Sequence, residues 1–177
     1  GMGEILEMQK NEANSQFFKY VKSHYKSWFK DGDETPILSH TLMKEKVFSN
    51  LSNDKPNFFL LIDNLRYDQW KVLQPIIEEW FTIDEESTFC SILPTATQYS
   101  RNSIFSGLTP LDISTRFPHL WKNDHEEGGK NLHEKEFLED QMQRLGIGEN
   151  KMVYHKVVKQ QYGEKLVQQF NNLLQND

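Results

Sequence analysis

The N-terminal part of the chain carries apolar side chains at helical spacing. From about Glu4 to Lys30, aromatic and aliphatic residues recur every three or four positions, at Phe17, Phe18, Val21, Tyr25, Trp28 and Phe29. This period predicts an amphipathic helix whose aromatic stripe packs in a core or against another helix. A turn sequence at 30–33 ends the helix, and Pro36 precedes a second predicted helix from Ser39 to Leu51.

The period changes after the polar stretch 52–56. Asn57 to Asp63 is a nearly continuous apolar run, which is typical of a strand that is covered on both faces. Helical spacing returns from Trp70 to Trp80, a second apolar run follows at 88–93, and another helix is expected at 98–106. Alternating strands and helices predict an α/β fold with a parallel sheet and covering helices, in which ligands bind at the carboxyl ends of the strands.

The rest of the chain is more polar. We expect a solvated loop at 123–130, a helix at 132–145, a strand at 152–158 and a last helix at 162–174. The pattern therefore divides the chain into a helical linker or hinge module, residues 1–55, and an α/β part, residues 56–177.

Composition narrows the class of protein. A hydrophobic content of 37% with 12% aromatic residues is enough for a real core, and a mean hydropathy of -0.71 implies a polar surface. The net charge of -6, without a long Lys/Arg stripe, argues against direct nucleic-acid binding. It does not argue against a small anionic substrate, because local charges decide whether such a ligand binds.

The cysteine content and the lack of long apolar runs favour a location in the cytoplasm. Cys90 is the single cysteine, and its apolar neighbours predict a buried free thiol rather than a disulfide or a zinc-binding CxxC motif. The N-terminus has no apolar signal-peptide core, and no apolar run is long enough to span a bilayer. We therefore expect a cytoplasmic protein that does not bind membranes.

Asp63 ends the first predicted strand. A carboxylate at this edge of the sheet could bind a divalent cation that keeps it ionised. It could equally well cap the helix that follows, and the residues alone leave both interpretations open.

Thr95 and Thr97 follow Pro94 at the end of the second predicted strand. A hydroxyl at a helix start is most often an N-cap, but it can also be a nucleophile whose developing charge the helix N-terminus and a metal stabilise. Considered together, the two strand ends suggest a metal-assisted phosphoryl site.

Two segments resemble the start of a PglZ domain, a branch of the alkaline phosphatase superfamily: LIDNLRYD at 61–68 and PTATQYSR at 94–101, continued by FSGL at 105–108. Residues 10–51 resemble the linker that precedes this domain in PorX-type two-component response regulators, which are connected with type IX secretion. The resemblance therefore implies a response-regulator linker followed by a PglZ phosphatase-like domain.

The resemblance also implies roles for two residues. Asp63 matches the first metal-ligand aspartate of the family, and Thr97 matches its nucleophilic hydroxyl. Members of the superfamily use a pair of zinc ions and a covalent phosphothreonine to cleave phosphate esters, including nucleotides. We add Arg66, Arg101 and Asn64 as candidate substrate-binding residues from their position beside the motifs, although a surface salt bridge is the more common role of such arginines.

The match is incomplete. The superfamily takes its remaining metal ligands, including an Asp-His pair, from strands further along the chain, and no such motif precedes Asp177. None of the nearby histidines lies at a predicted strand end, so none is expected to bind metal: His119, His125, His133 and His155. We therefore expect a partial domain that binds zinc incompletely or not at all and is nearly inactive alone, with residues 111–177 forming a cap or insert.

A non-catalytic role is the alternative. The aromatic stripe from Phe17 to Phe29 could mediate homodimerisation or bind a partner, with the phosphatase-like part serving as a platform for signalling.

Overall fold

A computed structural model describes residues 1–30, 35–52, 54–148 and 151–169. The chain divides into two compact units, residues 1–36 and 37–177. The boundary predicted between residues 55 and 56 lies inside the second unit, so it does not coincide with this structural division. The division of the chain into a linker, residues 1–55, and a phosphatase-like part, residues 56–177, stays a prediction. The α-helices of the described residues are α1 (Met2–His24), α2 (Tyr67–Glu78), α3 (Thr97–Ser106), α4 (Pro110–Arg116), α5 (Glu134–Arg144) and α6 (Gln160–Gln168).

The first unit is built on α1. A single 3-10 turn, Ser27–Phe29, follows the helix, and Trp28 in this turn is buried, with its ring 5.8 Å from that of Tyr25. No residue of α1 itself is buried, and Phe17 and Phe18 are 61% and 65% exposed. The helix is thus where the periodicity places it, but most of its aromatic stripe is not part of a core.

The predicted parallel sheet is absent from the described part of the chain, which is helical and contains no β-strand. The prediction of a partial α/β fold is therefore wrong here. A strand must exchange backbone hydrogen bonds with a neighbour along its length, and an apolar run supplies side chains without supplying that neighbour. The three segments predicted as strands lie outside regular structure: 57–63, 88–93 and 152–158.

One trace of parallel pairing remains among the described residues. Leu38 forms an isolated parallel bridge with Cys90, whose amide donates to the Ile37 carbonyl at 2.8 Å. Leu38 is fully buried, whereas Cys90 is only partly buried, so the expectation of a buried thiol is met in part.

Helices predicted from spacing within the second unit are found with small shifts at their ends. The helices expected at 70–80, 98–106 and 132–145 correspond to α2, α3 and α5. The helix expected at 39–51 is instead a π-helical turn, Met43–Val47, followed by a 3-10 turn, Phe48–Asn50. The last predicted helix begins as α6, and its end lies outside the described residues.

The core of the second unit lies where α3, α4 and α5 meet. Its buried members are Met43, Ile104, Phe105, Ile113, Phe137, Leu138 and Met142. Burying a large apolar side chain contributes about 1.5–3 kcal/mol relative to leaving it in water, so this cluster is the main source of stability for the unit.

The end of α3 is fastened to α5. The buried Gln141 amide donates to the Ile104 and Phe105 carbonyls at 3.0 and 2.8 Å, in the last turn where carbonyls have no partner within the helix. Gly107 follows in the left-handed conformation with φ 63°, and a Cβ there would lie 2.6 Å from Gln141 Cδ. These contacts fix the axis of α3 and thus the position of its first turn.

None of the helices in the described residues is long and apolar enough to cross a membrane.

Candidate phosphoryl site at the start of helix α3

Thr97 is the first residue of α3 and is exposed. The N-cap position belongs to Ala96, whose carbonyl accepts from the Tyr99 and Ser100 amides at 3.0 Å, and no side chain caps the helix. Thr97 therefore does not have the capping role that its residue type favours. Its hydroxyl instead lies at the positive end of a helix, where backbone N–H groups are unpaired and negative charge is favoured.

Asp63 lies in a turn completed by Asn64, which has a φ of 61° in the left-handed region. The cap of α2 is Arg66, so Asp63 does not serve as the N-cap of that helix. Its carboxylate Oδ2 accepts from Arg101 Nη1 at 3.0 Å, and the Asp63 side chain is 51% exposed.

Arg101 connects the two predicted site residues. It follows Thr97 by four positions on α3, and residues at this spacing lie on the same face of a helix, one turn apart. Because Arg101 also binds the Asp63 carboxylate, the loop at Asp63 is attached to the helix that Thr97 opens. The structure therefore relates Asp63 and Thr97 through α3 rather than through a sheet edge.

Arg101 also belongs to a group around a buried carboxylate that the sequence did not predict, which we call the Glu134 cluster: Glu134, Arg101, Tyr154 and Lys156. Glu134 is the first residue of α5 and is only 1% exposed. Its Oε1 lies 2.6 Å from Arg101 Nη2, and its Oε2 lies 3.0 Å from Lys156 Nζ and 2.5 Å from the Tyr154 hydroxyl. Burial, and then the hydrogen bond to this carboxylate, raises the pKa of Tyr154, so the phenol remains a donor.

The loop after Trp121 borders the first turns of α3. The Tyr99 hydroxyl donates to Asp124 Oδ2 at 2.8 Å, Gln98 also donates to Asp124, and Asn102 donates to the Lys130 carbonyl at 2.9 Å. This segment is exposed, as expected of a solvated loop, and it contacts α3 at Gln98, Tyr99 and Asn102.

Arg66 lies at the surface. Its Nε and Nη2 bind the two oxygens of Asp68 at 3.0 and 2.9 Å, with both side chains about two-thirds exposed (68% and 69%). The hydrogen bond from Arg66 lowers the pKa of the Asp68 carboxyl. This is the salt-bridge role that the sequence left as an alternative, while substrate binding by Arg66 and Asn64 stays a prediction.

The donor set near Asp63 does not by itself fit a zinc site. Zinc sites in proteins combine several Cys, His or carboxylate donors, and no group of three or more such residues comes together among residues 1–30, 35–52, 54–148 and 151–169. Asp63 offers one carboxylate, and a guanidinium already binds it. His133 lies near Glu136, with Nδ1 and Oε1 3.3 Å apart.

Two family models match the chain. One, described as the BREX system PglZ alkaline phosphatase-like domain, matches residues 42–175. The chain belongs to the PglZ family. The other, described as the PorX response regulator linker domain, matches residues 1–29. None of the curated proteins compared with the chain matches it.

The PglZ match contains Asp63, Thr97 and the whole Glu134 cluster, and the PorX linker match contains the whole of α1. The PglZ resemblance inferred from the two short motifs is therefore confirmed, and the linker resemblance is confirmed at residues 1–29 rather than at 10–51. The chain thus carries a segment that matches a response-regulator linker, followed by an alkaline-phosphatase-like domain.

The sequence held no clear sign of the Glu134 cluster. A glutamate in the first turn of a helix ordinarily complements the helix dipole at the surface, as Glu136 does on the same helix. Tyr154 and Lys156 alternate with exposed residues in the manner of a strand, which predicted a sheet rather than an ionic contact.

Proposed function

We propose that the PglZ domain cleaves phosphate esters, as a phosphodiesterase or phosphatase within a cytoplasmic two-component response regulator connected with type IX secretion. In this proposal Thr97 is the nucleophile. The family match supports the class of reaction, and the absence of a capping role for Thr97 supports the choice of residue.

The observation that carries the proposal is the contact between Asp63 and Arg101, one helical turn from Thr97. It joins a carboxylate to a guanidinium on the helix that begins at Thr97, one turn from the helix N-terminus. A guanidinium and unpaired backbone N–H groups are the donors that bind phosphoryl oxygens. Positioning and charge stabilisation of this kind account for most of the catalysis in phosphoryl transfer.

Two steps follow from this arrangement. The Thr97 hydroxyl would form a bond to phosphorus as the ester bond breaks, and the leaving alcohol would depart with the proton. Water would then hydrolyse the phosphothreonine ester, which restores Thr97 and releases phosphate from a monoester substrate or a phosphate monoester from a diester substrate. Asp63 would hold zinc only together with further donors.

The test is hydrolysis of an activated phosphodiester, bis(p-nitrophenyl) phosphate, by the full-length protein supplied with zinc. Thr97→Ala is expected to lower kcat by at least about 100-fold, because removal of a nucleophile cannot be compensated by binding. Thr95→Ala is the matched control, since Thr95 is an exposed threonine in the same segment and should retain activity. Unchanged turnover in Thr97→Ala, or equal losses in both variants, would contradict the proposal.

A second candidate function is an interaction module, favoured by the exposed aromatic residues of α1. Phe17 and Phe18 lie within the segment that matches the response-regulator linker, and both are largely exposed. Homodimerisation through α1 would cover them. Light scattering of the full-length protein over a concentration series tests this, and a monomer at every concentration would contradict it.

A further inference from the structure

We propose that Glu134 is a positioning residue, whose buried carboxylate aims the guanidinium of Arg101 at Asp63 and at the phosphoryl group of a bound substrate. The inference deepens the proposed function and rests on it, because it assigns Arg101 to anion binding at the Thr97 site.

The first support is the burial of Glu134. A carboxylate that is 1% exposed is strongly destabilising unless charges and hydrogen bonds compensate it. Two cations and a phenol do so here, at distances of 2.5–3.0 Å. They come from α3 and from the segment at 152–158, so the carboxylate is held from several directions.

The second support is the asymmetry of Arg101. Its Nη2 faces the buried Glu134, whereas its Nη1 faces Asp63, which is 51% exposed. A guanidinium is planar and rigid, so fixing one side determines the direction of the other. Glu134 therefore acts as a permanent partner, while Asp63 is the partner that an incoming oxyanion can reach and share.

The third support is the charge balance of the group. Asp63 and Glu134 carry two negative charges, and Arg101 and Lys156 carry two positive charges, so the four side chains are neutral together. Each cation is drawn toward the buried carboxylate. If Asp63 turned toward another ligand, Arg101 would stay in place and present its Nη1 to an oxyanion.

Phosphate affinity and steady-state kinetics of the full-length protein test the proposal. Glu134→Gln keeps the size of the side chain but removes its charge. We expect the inhibition constant of inorganic phosphate and the KM for bis(p-nitrophenyl) phosphate to rise together by at least about fivefold, with kcat changed by less than about twofold. Calorimetric titration with inorganic phosphate provides the same comparison without turnover.

Glu136→Gln is the matched control. Glu136 is on the same helix, its side chain is 52% exposed, and its contact is with His133 rather than with the Glu134 cluster. Phosphate affinity and KM should remain at their wild-type values in this variant.

Several results would overturn the inference. One is a folded Glu134→Gln protein with wild-type phosphate affinity and KM. Another is a fall in kcat that parallels a fall in thermal stability, since that indicates a structural role. A wild-type protein that binds no inorganic phosphate would overturn it as well.

If Glu134→Gln fails to fold, Tyr154→Phe replaces it, because this change removes one donor to Glu134 and keeps the ring. It should weaken phosphate binding about twofold, and unchanged binding would overturn the inference. The two proposals can be contradicted separately. Turnover that survives Thr97→Ala would show that Thr97 is not the nucleophile. Unaltered phosphate binding in Glu134→Gln would show that Glu134 is not a positioning residue.

Discussion

In the core between α3 and α5, Phe105 and Phe137 are 4% and 1% exposed, whereas Phe58 and Leu60 in the apolar run before Asp63 are 57% and 81% exposed. Both regions use large apolar side chains, and the run at 57–63 was expected to be a strand covered on both faces. The difference is that α5 brings a complementary helix to α3, while no described strand lies beside residues 57–63. Apolar composition thus shows which side chains would be stabilised by burial. Whether they are buried depends on a neighbouring helix or strand that packs against them.

The largest effect is expected in the core. Leu138→Ala removes a side chain that is 7% exposed in α5, and the lost burial and the remaining cavity should lower the free energy of unfolding by about 2–5 kcal/mol. Urea denaturation of the chain followed by circular dichroism measures this. A loss below about 1 kcal/mol would mean that α3 and α5 do not form the main core.

An intermediate effect is expected where the core holds the end of α3. Gln141→Leu keeps the approximate size of the side chain but leaves the Ile104 and Phe105 carbonyls without their donor. We expect a loss of about 1–3 kcal/mol, because buried acceptors would lack a partner. Gln143→Leu, at an exposed position of the same helix, is the control and should have little effect.

The smallest effect is expected in the exposed apolar run. Leu60→Ala makes the same chemical change as Leu138→Ala, but at a side chain that is 81% exposed, and should alter stability by no more than about 0.5 kcal/mol. The same denaturation experiment compares the two leucines directly. If Leu60→Ala lowered the free energy of unfolding as much as Leu138→Ala, residues 57–63 would be buried in the protein. The contrast between this run and the core of α3 and α5 would then be wrong.

The parts of the fold that sequence could predict are those with a local cause. Helical spacing in the second unit led to α2, α3 and α5 within a few residues, since an amphipathic helix forms its own backbone hydrogen bonds. The predicted strands depended on partners elsewhere in the chain, and Leu38 with Cys90 is the only pairing among residues that the structure describes. Periodicity cannot predict such partners.

The candidate site shows the same limit. The motifs pointed to Asp63 and Thr97 individually, and Arg101 was noted as a basic residue beside them. The contact of Arg101 with both Asp63 and Glu134 required the packing of α5 on α3. A lone glutamate at a helix start has too many ordinary roles for its sequence position to indicate this one.

The most direct test of the central claim, that the start of α3 is a phosphoryl site, is to locate the covalent intermediate. The full-length protein is mixed with bis(p-nitrophenyl) phosphate and zinc, quenched in acid and mapped by peptide mass spectrometry, with Thr97→Ala in parallel. We predict one phosphoryl ester on Thr97 in the wild-type protein and none in the variant. Phosphorylation of Thr95 or another residue during turnover, with Thr97 unmodified, would contradict the account.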